Sequence, residues 1–134
     1  MPEEGICQIP RTEVLSEDEI LTTIKTCFNE TGYLLDTHTA IGYGVLKQYQ
    51  QETGDHTKTV LLSTASPYKF PESVYQAIYG EELDVYTAID KLSEKTGVPV
   101  PQALAGIKER EVLHKEAIDK TEIISFIKSE IEAM

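Results

Sequence analysis

The chain has 134 residues, 40% of them hydrophobic and 26% charged, which is enough for one domain to bury a core without disulfides or metal. Its 23 acidic and 12 basic residues give a formal net charge of -11, so phosphate backbones and anionic lipid surfaces are repelled on average, and nucleic acid and membrane drop out as expected partners. No apolar run approaches the roughly eighteen residues that span a bilayer, and the start Met1-Pro2-Glu3-Glu4 has the wrong charge for a signal peptide. The chain reads as cytoplasmic, with Cys7 and Cys27 as reduced thiols.

Residues 1–15 show no sustained period and are punctuated by Pro2, Gly5 and Pro10. They read as a connecting segment ahead of a single folded part, 16–134. Ser16 with Glu19 makes a capping box. A helix from Glu17 to Glu30 follows, carrying Ile20, Leu21, Ile24, Cys27 and Phe28 on one face and stopping at Gly32. Asp36 or Thr37 can cap a second helix, with Ile41, Val45, Leu46 and Tyr49 as its inward face. Gly42 and Gly44 lie inside that helix. Each costs on the order of 1 kcal/mol relative to alanine, so close approach of another chain segment or a ligand should offset them.

Thr53-Gly54-Asp55 supplies a turn before an apolar run, Thr59 to Ser63, that reads as a strand. Pro71 suits the first turn of a third helix with Val74, Tyr75, Ile78 and Tyr79 inward and Gly80 at its end. Asp84 caps a fourth, with Val85, Ala88, Ile89 and Leu92 inward, Tyr86 reaching the surface and Gly97 closing it. Val98-Pro99-Val100-Pro101 imposes an extended linker. Gln102 to Lys108 suits one or two helical turns, Glu111 to Lys115 a short strand, and Asp119 with Glu122 caps a terminal helix bearing Ile123, Ile124, Ile127 and Ile131. A lone strand cannot satisfy its edges. Either the domain is mostly helical, or the strand belongs to a sheet made elsewhere.

The stretch from Val60 to Gly80 carries the chemistry. Its apolar run passes into the hydroxyls Ser63, Thr64 and Ser66 and then Pro67, Lys69 and Pro71, and hydroxyls in such a turn can meet a ligand while the flanking elements hold them still. His38, His56 and His114 lack the spacing of a metal site. Neither a Gly-x-Ser-x-Gly elbow nor a phosphate-binding glycine loop occurs. Read from the residues alone, the chain offers a polar turn at Ser63 to Lys69 for a small ligand, with a helical interaction module as the alternative.

Three segments carry a resemblance: T-G-Y-L-L-D-T-H-T-A-I-G-Y from Thr31 to Tyr43, L-S-T-A-S-P-Y-K-F-P from Leu62 to Pro71, and T-G-V-P-V-P from Thr96 to Pro101. Together they resemble the C-terminal portion of the threonine synthase family, in order from about Ser16 to the end, with Thr37 standing where that family often has proline. The resemblance implies an α/β, fold-type-II pyridoxal-phosphate enzyme, of which this chain is a mostly helical C-terminal part with one strand and at most one or two short ones more. It implies conversion of O-phospho-L-homoserine and water to L-threonine and phosphate. It also implies that the cofactor lysine and the loop for the cofactor phosphate lie in an N-terminal lobe that this sequence does not contain, so that the fragment alone is inactive and can self-associate. The family's hydroxyl near the pyridine nitrogen maps to Thr64 first and Ser63 second. Lys69 belongs to the matching turn and is not the family's Schiff-base lysine, and His38 carries no role over.

Overall fold

The structure, a computed structural model, describes residues 14–113 and 117–133. Five helices form among them: α1 (Glu17–Thr31), α2 (Thr37–Thr53), α3 (Pro71–Tyr79), α4 (Val85–Thr96) and α5 (Ile123–Glu132), with short 3-10 turns at Pro67–Lys69 and Ile107–Glu109. Helix α1 packs on both α2 and α3, and α3 packs in turn on α4. The first four helices thus succeed one another across the molecule in the order α2, α1, α3, α4.

The sequence signals account for most of the boundaries. The Ser16 hydroxyl accepts the Glu19 amide at 3.3 Å while the Glu19 carboxylate accepts the Ser16 amide at 2.7 Å, a reciprocal box that satisfies two orphan donors of α1. These bonds, from the Ser16 side chain first, hold the Glu19 carboxyl below its usual range. Helices α1 to α4 each end on a left-handed glycine, a conformation in which a Cβ is strained.

Ile24 and Cys27 of α1, Leu34 and Leu35 of the first connection, Ala40 of α2, Tyr68, Val74, Tyr75 and Ala77, and Ala88, Ile89 and Leu92 of α4 form one buried core. Cys7 lies outside the described residues, and Cys27 is a buried free thiol.

Three expectations are corrected. No strand forms among the described residues, and Thr59 to Ser63 is irregular. A strand exists only by pairing with a neighbour, and no described segment offers one, so Val60 and Leu62 stand 83% and 77% exposed. The proposed strand at Glu111 to Lys115 is irregular through Leu113, and its remainder lies outside the described residues.

The inward face of α2 also differs. Thr39, Ala40 and Gly44 are its buried positions, with Tyr43 packed against the core, whereas Ile41 is exposed. Small residues win that face because the neighbours come very close. A Cβ on Gly44 would stand 2.5 Å from Leu15 Cδ1, and one on Gly42 would stand 3.0 Å from Leu61 Cδ1. The two helix-interior glycines are therefore explained by side chains of this chain.

Finally, the apolar face of α5 is not packed inward. Ile123, Ile124, Ile127 and Ile131 are all exposed.

Candidate functional site

The hydroxyl turn begins where the irregular segment crosses the start of α2. Asp36 caps that helix, its Oδ1 accepting the His38 amide at 2.9 Å and the Thr39 amide at 3.2 Å. The Thr39 hydroxyl donates to the other carboxylate oxygen of Asp36. Asp36 is only 1% exposed and Thr39 5%, so a fully satisfied polar pair sits inside the protein rather than in water. Thr39 Oγ1 also stands 3.5 Å from Ser63 Oγ, and the Ser63 hydroxyl is 3.4 Å from the Ala65 carbonyl.

The other end of the turn is fixed by a different helix. Ser66 Oγ accepts the Tyr68 amide at 3.2 Å, which caps the Pro67–Lys69 turn, where proline supplies a preset φ. Tyr68 is buried, and its phenol donates to the Val98 carbonyl just beyond α4. Burial pushes the Tyr68 phenol up from its usual value, against the lowering effect of Ser93 and Thr96. Anchored near α2 by Ser63 and near α4 by Tyr68, the turn is held at both ends.

Between those anchors Thr64 is exposed. It forms part of the rim of a cleft of about 560 Å³ whose walls include Ala65, Ile89, Pro101, Leu104 and Ile107. A hydroxyl donor beside an apolar wall suits a flat heteroaromatic ring, with the wall taking the face and the hydroxyl an edge nitrogen. The residues present therefore fit the ring of pyridoxal phosphate. They fit its phosphate less well, since Gly32, Gly54, Gly80 and Gly97 all close helices rather than open one, as a phosphate-binding loop does.

His38 and Lys69 meet at Phe70. The imidazole centroid lies 5.4 Å from that of the Phe70 ring, and Lys69 Nζ lies 5.5 Å from the same ring centroid. His38 Nδ1 is 3.4 Å from Thr37 Oγ1 and 3.7 Å from Asp36 Oδ1, with 55% of its side chain exposed. Among the described residues no group of three or more His, Cys, Asp or Glu is placed to hold a metal ion, and His114 lies outside them.

Of the two residues singled out by sequence, Thr64 lines the cleft and Ser63 is tied back to α2. Sequence reasoning missed Thr39 and Tyr68 and treated Asp36 as a helix cap only. The spacing Asp36-x-x-Thr39 held a usable signal, because a threonine at the third helical position can return its hydroxyl to the capping carboxylate. Nothing in the local sequence announces that this pair would be buried under Ser63.

Residues 39–127 match the family model described as threonine synthase, C-terminal. Threonine synthase-like 1 of Mus musculus is 32% identical over 100 residues, covering 72% of this chain and 13% of that protein. Threonine synthase of Haemophilus influenzae is 40% identical over 80 residues, covering 58% of this chain and 17% of that protein. A urease subunit alpha from Sulfurisphaera tokodaii is 28% identical over 130 residues, 90% of this chain and 23% of that protein. The chain thus spans less than a quarter of the length of these curated relatives.

Proposed function

This chain belongs to the threonine synthase C-terminal family, and from that premise we propose that it forms the cofactor-ring wall of a pyridoxal-phosphate lyase. The proposed reaction is O-phospho-L-homoserine and water giving L-threonine and phosphate. The observation that carries this reading is the Ser63–Thr64 turn, in which Thr64 stands beside an apolar cleft while Ser63 ties the turn to α2 and Tyr68 ties it to α4. When bound, the cofactor supplies the electron sink that elimination and replacement chemistry needs.

The chain's own contribution is to place and tune. Thr64 donates a hydrogen bond to an unprotonated ring nitrogen, which a neutral hydroxyl can do without drawing a proton onto the ring. Ile89, Leu104 and Ile107 line the cleft and would cover one side of the ring. The lysine that bonds the cofactor, the cradle for its phosphate and most contacts to the substrate phosphate come from an N-terminal lobe, as the family resemblance implies. Val60 and Leu62, exposed here, form part of the surface that this lobe covers. Lys69 also lines the cleft, but it belongs to the turn and is not the Schiff-base lysine that the family resemblance implies, so on this reading the isolated chain is inactive.

The exposed isoleucines of α5 favour a second role as an interaction surface, through which isolated copies self-associate. Both roles are compatible in one polypeptide. The test of the first is direct: pyridoxal phosphate added to the 134-residue chain, followed by borohydride reduction and peptide mapping, should give only scattered substoichiometric lysine labelling. Stoichiometric labelling of one lysine, with turnover of O-phosphohomoserine, would overturn the claim that the catalytic lobe lies elsewhere.

A further inference from the structure

Charge is unevenly distributed among the hollows of this chain. Acidic residues number 23 against 12 basic ones, and carboxylates enter the lining of three hollows: Asp18, Glu19 and Glu30 between α1 and α2, Asp90 and Glu109 next to Gly106, and Glu17 beside Phe70. The cleft at Thr64 has no carboxylate in its lining among the described residues, and its one charged lining side chain is Lys69. The ion pairs among the described residues are His38 with Asp36 and Lys91 with Glu94, so no described carboxylate neutralises Lys69. Its Nζ rests 5.5 Å from the Phe70 ring centroid, a contact with a ring face that supplies no lone pair to its N–H donors.

Ser66 lines the same cleft. It stands three residues before Lys69, a spacing that brings side chains to one side of a 3-10 turn, and the Lys69 amide donates to the Ser66 carbonyl at 2.9 Å. The Ser66 side-chain oxygen accepts the Tyr68 amide at 3.2 Å, which leaves the hydroxyl proton for an outside acceptor. An ammonium and a hydroxyl donor on a cleft without carboxylates attract an anion. A compact phosphate gains more from that ammonium than a singly charged carboxylate does, because lysine acts as a point charge and a phosphate monoester carries close to two charges at neutral pH.

We propose that Lys69 and Ser66 form an anion subsite of the Thr64 cleft that takes the phosphate of a phosphate monoester. The identity of the ester rests on the cofactor-wall reading, in which substrate and cofactor both carry that group, whereas the subsite belongs to this chain. Lys69 acts there through its charge and forms no bond to the cofactor aldehyde.

The first test uses the 134-residue chain without cofactor, titrated with inorganic phosphate at constant ionic strength and followed by 15N–1H NMR. The amides between Thr64 and Lys69 should shift saturably, and Lys69→Gln should weaken that binding about tenfold. Lys69 is exposed, so the variant keeps the fold, and the same spectra verify this. Lys25→Gln, on α1 and outside the cleft, should change the binding by less than about twofold. Shifts that do not saturate, an equal response to Lys69→Gln and Lys25→Gln, or a loss as large with the charge-keeping Lys69→Arg would each overturn the subsite.

A complete threonine synthase carrying this region then separates the two esters. With the phosphate supplied by the substrate, Lys69→Gln raises KM for O-phospho-L-homoserine about tenfold and leaves the affinity for pyridoxal phosphate unchanged. With the phosphate supplied by the cofactor, Lys69→Gln weakens pyridoxal phosphate about tenfold while unphosphorylated pyridoxal binds as before. No change in either constant would overturn the proposal. Its failure leaves the cofactor-wall reading standing, since Thr64 is untouched, and failure of that reading leaves phosphate binding by the chain as it was.

Discussion

Helices α2 and α4 begin with the same four-residue device, Asp36-Thr37-His38-Thr39 and Asp84-Val85-Tyr86-Thr87, and the two differ in everything but local geometry. In each, the aspartate accepts the second and third amides of the helix and the threonine hydroxyl returns to the carboxylate. Asp36 is buried and touches the hydroxyl turn through Thr39, whereas Asp84 stands in solvent. Local sequence therefore makes the cap, and tertiary packing decides whether the cap is also part of a site.

The largest expected effect separates the two aspartates. Asp36→Ala removes a cap and leaves two amides and a buried hydroxyl without their acceptor, a loss of about 2–4 kcal/mol. Asp84→Ala removes a cap that water replaces, and urea unfolding should show a clearly smaller loss. Equal losses would mean that burial adds nothing at α2.

The threonines sharpen the same contrast. Thr39→Val leaves a buried carboxylate oxygen bare, at about 1–2 kcal/mol, while Thr87→Val exposes its aspartate to water and should fall well below that. A reversed order in thermal melts would contradict the account of the buried pair.

The smallest effect is in pH. The Thr87 hydroxyl first, and its amide second, hold the Asp84 carboxyl below the usual carboxylate value. A lowered folded value means that the cap's contribution is present above the unfolded value of 3.8 and is lost as pH falls through the lower folded one. Asp84→Asn should therefore flatten part of the acid limb of stability between about pH 2 and 5. An unchanged acid limb would show that this carboxylate contributes nothing there.

Much of the fold was legible because its signals are local. Ser16 with Glu19, Asp36 and Asp84 as caps, Pro71 at a first turn, and glycines 32, 80 and 97 as stops each act within one turn of helix. The misreadings came where distant partners decide. Val60 to Leu62 have the composition of a strand, but composition cannot provide a neighbouring strand. Periodicity put Ile41 inward, yet α1 approaches over Gly44, where Leu15 would collide with any Cβ. At the site, the hydroxyl turn stood out by its residue types, whereas Tyr68 and Thr39 act across 30 and 24 residues of sequence, a separation that no short motif encodes.

The central claim is that Thr64 donates to the ring nitrogen of a pyridine cofactor. It is tested most directly by the 15N shift of ring-labelled pyridoxal phosphate bound to a complete threonine synthase carrying this region, with and without Thr64→Val. The account predicts a hydrogen-bonded, unprotonated nitrogen that moves toward the free-pyridine shift when the hydroxyl is replaced. A shift identical in the two proteins, with cofactor fully bound in both, would contradict it.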